Sequence, residues 1–232
     1  MNNITNTMQM TLSDLGADLV GFGSLKELPS EMRKGMLVGI SVAVKYPQSV
    51  ISQIYAHPTM EYWEWYNTLN EKLDMIVTEG AKRLQELGYQ GIPMSRQVME
   101  YSSETLSASL PHKTIATRAG LGWIGKSALL VTKEYGSAVR FSTILTDAPL
   151  ATRNPINESL CEDCEICTKA CPGDAVLGEN WRVGIPREMF YDAQKCYEKA
   201  RELCAKYLNN KEATICGKCI EVCPYTRNYL RR

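Results

Sequence analysis

The sequence lacks an excess of charge of either sign. Lysine plus arginine and aspartate plus glutamate each number 26 among its 232 residues, so the chain as a whole carries no basic footprint for nucleic acid. It has no apolar run near the ~20 residues that cross a bilayer, and no membrane partner is expected. The opening MNNITNTMQM has neither the basic start nor the apolar stretch of a secretory signal, so a cytoplasmic protein is expected. Residues 1–160 contain no cysteine, whereas residues 161–232 contain all nine. In a reducing compartment, clustered cysteines point to metal rather than to disulfides.

That step in composition suggests two modules, residues 1–155 and 156–232. The first alternates strand and helix signals and is expected to be α/β (α+β) with a mixed sheet. Residues 16–25 read as a helix end running into a short strand. Residues 36–47 form a continuous apolar run closed by Pro47, the mark of a buried strand. From Met60 to Leu87, Tyr62, Tyr66, Leu69, Leu73, Ile76, Gly80, Leu84 and Leu87 recur at steps of three and four, which is one helical face. Gly88 is placed to end that helix. The aromatic group Tyr62, Trp63, Trp65 and Tyr66 reads as packing. Residues 128–147 read as two strands joined by a turn at Tyr135-Gly136. The RNYLRR tail, with Arg227, Arg231 and Arg232, reads as a solvated terminus.

The second module carries the chemistry. Cys161, Cys164, Cys167 and Cys171 followed by Pro172 spell C-x2-C-x2-C-x3-C-P, the bacterial ferredoxin run. Its first three thiolates hold one [4Fe–4S] cubane and its fourth reaches the other. Two-residue gaps let one tight loop wrap three corners of a cube, and the proline fixes the direction of departure. Zinc is disfavoured, since it takes four ligands in paired knuckles. A second half, Cys216, Cys219 and Cys223 followed by Pro224, lacks a leading cysteine, with Ala213 in its place. By the crossing rule Cys161, Cys164, Cys167 and Cys223 hold cluster one. Cys171, Cys216 and Cys219 hold cluster two, with either Cys196 or Cys204 as the eighth ligand. Cys196 is favoured, which leaves Cys204 a buried free thiol.

The blocks ATRAGLGWIGKSALLVT (116–132), GSAVRFSTILTD (136–147), the ferredoxin run, DAQKC (192–196) and CGKCIEVCP (216–224) follow one another in an order that resembles the epoxyqueuosine reductase family. The resemblance is close over residues 90–230 and looser before them. It supports Cys196, which sits in the family's DA-x-x-C segment. It implies a corrinoid-binding, nitroreductase-like or cobalamin-chaperone-like N-terminal domain and a bacterial ferredoxin-like C-terminal domain with two [4Fe–4S] clusters. It also implies that these clusters feed a base-off cobalamin, as in the related reductive dehalogenases. The RAGLGWIGK segment would lie beside the corrinoid. Gly120, Gly122 and Gly125 permit close approach to a flat ligand, Trp123 offers an apolar wall, and Arg118 and Lys126 can meet amides or phosphate. The Gly-x-Gly-x-x-Gly from 120 to 125 also fits a dinucleotide fingerprint, but it follows a helical stretch rather than a strand. His57 and His112 sit in no cobalamin-ligating motif.

Two departures shape the expected function. The family carries an acidic residue about twelve positions before the arginine of RAGLGW. Here no aspartate lies between Tyr101 and Arg118, and Leu106 stands near the expected place, so proton delivery would fall to His112, Tyr101 or Glu104. The family reductase continues into a helical-repeat domain that helps grip tRNA, and this chain reads as a short form without it, so a tRNA partner is not expected. The sequence therefore points to an iron–sulfur oxidoreductase that passes electrons to a bound corrinoid for reduction of a substrate it does not name, a small molecule being one candidate, fed by a donor such as a ferredoxin or flavodoxin. The alternative is an electron-transfer protein that reduces a partner, for example a corrinoid protein. A third, flavin-based reading would place FMN on the same kind of fold.

Overall fold

The apolar run at 36–47 becomes a strand buried at seven of its eight residues. The computed structural model describes residues 3–232. Its elements in chain order are α1 (Asn3–Asp14), β1 (Leu19–Ser24), β2 (Val38–Lys45), α2 (Gln48–Gln53), α3 (Met60–Glu86), β3 (Gly91–Pro93), β4 (Tyr101–Ser102), β5 (Ser107–Ala108) and α4 (His112–Arg118). They continue with β6 (Trp123–Ile124), β7 (Leu130–Val131), β8 (Val139–Thr146), α5 (Ile166–Ala170), α6 (Ala193–Tyr207), α7 (Lys218–Glu221) and α8 (Pro224–Leu230). The chain forms two compact units, each built from three stretches.

The first unit runs to Val44, resumes at Leu69–Gly122 and ends with Arg140–Ile156. Its sheet has the order β1-β2-β8-β3. β1 pairs antiparallel with β2 from Leu19↔Ala43 to Ser24↔Val38, and β3 pairs antiparallel with β8 from Gly91↔Thr146 to Pro93↔Ile144. β2 is an inner strand of this sheet, and its consecutive residues are buried, so both of its faces are covered and its sequence does not alternate. Phe22, Ile40, Val42, Ile76, Leu84 and Ile144 are buried in the core with Met8 and Leu12 of α1. Each such side chain contributes roughly 1.5–3 kcal/mol by leaving water. α4 lies against β1 because β1 carries glycine there: a Cβ on Gly23 would stand 2.6 Å from the Arg118 carbonyl carbon.

α3 is the long helix that its period predicts. Thr59 Oγ1 accepts from the Tyr62 N–H at 3.2 Å, an N-terminal cap. Gly88 takes φ 85°, and Tyr89 N–H returns to Leu84 O at 3.0 Å, a left-handed stop that a Cβ would penalise.

The second unit comprises Lys45–Thr68, Trp123–Val139 and Asn157–Arg232. Its break after Ile156 falls beside the boundary that the cysteine distribution suggests. The two earlier stretches join through contacts that the cysteines do not reveal. Tyr229 hydroxyl donates to Tyr46 O at 2.7 Å, Gln48 Nε2 donates to Tyr229 O at 2.7 Å, and the Tyr135 and Tyr229 rings meet edge to face. A small core of Ile124, Ala128, Trp181 and Phe190 lies within this unit.

Residues 128–147 depart from the expected strand pair. The first strand shrinks to β7 and pairs with β6, not with β8. The turn closes between Thr132 and Gly136, whose N–H groups donate to each other's carbonyls at 2.9 and 3.0 Å. The chain then leaves the ladder, because Ser137 N–H donates to Thr226 Oγ1 and Ala138 O accepts from Tyr46 N–H. The tail's arginines, Arg227, Arg231 and Arg232, are exposed as a solvated terminus requires. The backbone from Pro224 to Leu230 is ordered as α8, where Arg227 pairs with the buried Glu221 and Tyr229 is buried.

Candidate metal centre

All the cysteine runs singled out above fall in the second unit, and local backbone geometry aims them. Cys161 and Cys164 stand on one tight turn, with Cys164 N–H donating to Cys161 O at 2.9 Å. Cys167 lies on the short helix α5, and Cys171 ends that helix in extended conformation. Ala175 N–H donates to Cys171 Sγ at 3.3 Å. In the second half Gly217 takes the left-handed conformation at φ 81° and starts α7, which carries Cys219. Cys223 caps α8 with Pro224 in its first turn, where a fixed φ and a missing N–H cost nothing.

Cys161, Cys164, Cys167 and Cys223 line one cavity of about 180 Å³, together with Cys219, Lys126, Leu160 and Tyr225. Burial pushes the Cys167 thiol up to about 11, and the neighbouring Cys161, Cys223 and Cys164 push in the same direction. Burial is also the main cause at Cys223, with Cys161 adding to it. The other cysteines form a second neighbourhood. Cys219 is held well above its usual range by burial, then by Cys216, Cys196, Cys167 and Cys171. Cys216 is pushed up to about 11 by burial, with Cys196 and Cys171 contributing. Cys196 is raised by burial against the opposing hydrogen bond from Tyr191. Cys219 thus adjoins both neighbourhoods.

Among the described residues no three His, Cys, Asp or Glu side chains converge on a position for a single ion. The first set surrounds a void instead, as the corners of a multi-atom cluster must. The thiols' chemistry fits as well: they are soft donors, crowded and desolvated, which lose their protons when metal arrives.

Cys196 and Cys204 both lie on α6, eight residues and therefore about 12 Å apart along the axis, so they cannot serve the same corner. Cys196 lies beside Cys171. Cys204 is fully buried and its thiol donates to Ile215 O at 3.1 Å.

Two contributors lie outside the residues that the sequence singled out. Tyr191, five residues before Cys196, hydrogen-bonds its thiol. Glu221 is 1% exposed between Lys218, 3.1 Å away, and Arg227, and so ties α7 to α8. Its place inside CGKCIEVCP was the only hint.

The residues expected around a corrinoid divide between the units. Arg118, Gly120 and Gly122 belong to the first, and Trp123, Gly125 and Lys126 to the second. Arg118 is buried and engaged, Nε to Ser24 O at 3.0 Å and its guanidinium to Glu27. A Cβ on Gly120 would stand 3.1 Å from Asn154 O, and one on Gly125 2.9 Å from the Val131 side chain. Packing within the chain therefore accounts for both glycines without a ligand. Trp123 is fully buried with its Nε1 unpartnered. Lys126 lines the thiol cavity.

The proton-donor candidates differ sharply in setting. Tyr101 is 60% exposed on β4 and Glu104 lies exposed in the turn after it. His112 is largely buried, and its Nδ1 lies 3.0 Å from Thr143 Oγ1. Burial first, then the Arg140 guanidinium, lowers it to about 4, so its imidazole is neutral at pH 7.

Fold and thiols together define a mixed α/β protein with a cysteine-lined cavity, the candidate metal centre. No family model matches the chain, but individual relatives do. The epoxyqueuosine reductase of Listeria monocytogenes is 29% identical over 207 residues, which are 80% of this chain and 50% of that one. An epoxyqueuosine reductase solved with an epoxyqueuosine-modified tRNA stem loop superposes at TM-score 0.63, with 19% identity, over 97% of this chain and 66% of its own. A reductive dehalogenase described in terms of B12-dependent dehalogenation superposes at TM-score 0.66, with 18% identity, over 95% of this chain and 31% of its own. The chain is a homologue of the epoxyqueuosine reductases and shares its fold with the reductive dehalogenases. It spans about half the length of the curated relatives it matches. Among the described residues no helix is long and apolar enough to cross a membrane.

Proposed function

We propose that this chain is an iron–sulfur oxidoreductase whose second unit, ferredoxin-like in character, holds two [4Fe–4S] clusters. Cys161, Cys164, Cys167 and Cys223 hold the first, and Cys171, Cys196, Cys216 and Cys219 hold the second. The observation that carries this is the void of about 180 Å³ bordered by five thiols from both halves of the motif, the four assigned to the first cluster and Cys219. When bound, the clusters supply one-electron storage and transfer. The chain's part is to desolvate the thiols, to direct the Ala175 N–H and the Tyr191 hydroxyl onto ligand sulfurs, and to tie α7 to α8 in the second half through Glu221.

Kinship with corrinoid-using dehalogenases supports a corrinoid as the electron acceptor and a small molecule as the final substrate, with a ferredoxin or flavodoxin as donor. The residues themselves do not argue for that group, since protein atoms already fill the space beside Gly120 and Gly125. The experiment is an anaerobic titration of cluster-loaded protein with cob(II)alamin, followed by EPR. A base-off cobalt signal that responds to cluster reduction supports a corrinoid reductase. Loaded clusters with no cobalt binding support the second reading, an electron carrier for a partner such as a corrinoid protein. The absence of aspartate between Tyr101 and Arg118 and the neutral state of His112 favour that second reading. A yellow protein that releases FMN on acid treatment would instead favour a flavin reductase. The reductase solved with a tRNA stem loop makes tRNA binding a necessary further assay, against the expectation drawn from neutral net charge.

A further inference from the structure

Cluster chemistry requires the thiols of the cavity but does not require Lys126. Its side chain is 4% exposed and lines the same void as Cys161, Cys164, Cys167 and Cys223. Among the described residues no hydrogen bond or ion pair holds it. The carboxylate that senses its charge, Glu165, is bonded to Lys169 at 3.0 Å. Arg118, Lys126 and Glu221 are the buried charged residues described. Arg118 and Glu221 have protein partners within bonding distance, while Lys126 has none and lines the thiol-bordered void. A buried cation without an anion is strongly unfavourable, and four thiolates around an iron–sulfide cube leave the assembly net negative in either redox state.

Resting on the cluster assignment above, we infer that Lys126 is the built-in counter-charge of the first cluster and holds its reduction potential above that of the second. Reduction adds one electron from the donor to the cubane, and no bond in the chain forms or breaks. The added negative charge falls beside the buried ammonium, in a low-dielectric setting where charge interactions are strong. Among the described residues the second set of thiols has no buried, unpaired cation of this kind beside it. Its Lys218 is held by Glu221 and by Tyr55 O at 2.6 Å. The Tyr191 hydroxyl on Cys196 also favours reduction, but it carries no net charge and its effect is smaller. Electrons entering the pair therefore come to rest on the first cluster.

The test is an anaerobic potentiometric titration with dithionite, monitored by EPR, on the full chain reconstituted with iron and sulfide. Wild-type protein is expected to reduce in two separate one-electron steps. Lys126→Gln should weaken the more positive step at least tenfold in equilibrium, about 59 mV for one electron, and leave the other in place. Lys126→Arg should preserve both, as should Lys169→Gln at an exposed lysine nearby. An unmoved more-positive step in Lys126→Gln overturns the inference. If Lys126→Gln does not load, Lys126→Met replaces it. Failure of both with loading retained in Lys126→Arg supports a charge requirement, and failure of all three overturns it in favour of shape. Iron analysis separates the two levels. Wild-type protein with fewer than about eight irons, the content of two cubanes, removes the cluster assignment. Full loading with no shift in Lys126→Gln removes only the role of Lys126.

Discussion

His112 Nδ1 and Thr143 Oγ1 meet at 3.0 Å between α4 and β8 of the first unit, and the imidazole is neutral there. Its folded value of about 4 lies below the ordinary 6.5, so the unfolded chain binds a proton more readily between those limits. The stability this confers is present above about pH 6.5 and is lost as pH falls toward 4. Full loss amounts to about 3 kcal/mol. Denaturant melts at pH 7 and pH 4.5 should show this difference, and His112→Gln should remove most of it.

Cys196 and Cys204 should part company when substituted. Cys196→Ser is expected to lower iron content by about half, since one cubane loses a corner. Cys204→Ala is expected to keep full iron content and to lose roughly 1 kcal/mol of stability from a small cavity. Iron and sulfide assays on both variants check this, and the reverse pattern would transfer the ligand role to Cys204.

Glu221 should prove a clamp rather than a surface charge. Replacing both Lys218 and Arg227 by methionine leaves its carboxylate buried and unpaired, which should cost about 3 kcal/mol. Replacing Glu221 as well should recover part of that loss. Thermal melts of the double and triple variants, with cluster loading measured alongside, give the answer.

Gly23→Val should be the most disruptive change on β1. Its side chain would collide with the backbone at Arg118, and overpacking of this kind costs about 1–3 kcal/mol or more. A valine at Gly35, where a Cβ would meet nothing within 4 Å but φ is 76°, should cost only backbone strain. Comparing the two melts separates close approach from conformational freedom.

Periodicity and spacing made much of this legible. The face of α3 from Tyr62 to Leu84, the stop at Gly88 and the buried strand β2 follow from local pattern, because each is fixed by residues near in sequence. The cysteine runs were legible for the same reason: the turns that present them span two or three residues. Long-range relationships were not. Nothing local tells that Tyr46 O would accept from Tyr229, or that Thr226 would capture Ser137 N–H and end the strand begun at Leu130. Glu221 looks like a surface charge in sequence, and Lys126 reads as a residue for amides or phosphate; only their burial shows where each acts. The glycines of the 120–125 segment suggested a ligand, yet the structure fills their space with Asn154 and Val131.

The stretch Lys45–Thr68 has a consequence for biogenesis. It belongs to the unit that also contains Asn157–Arg232, and its Tyr46 carbonyl waits for the hydroxyl of Tyr229, 183 residues later. A ribosome delivers the first of these segments long before the last. The unit cannot close until its last segment has been made, and Cys223 is among its final parts to emerge. The proposed clusters would then receive iron and sulfide only after Cys223 has emerged, on thiols that until then are open to oxidation. A cell that makes this protein has reason to couple its release to cluster delivery.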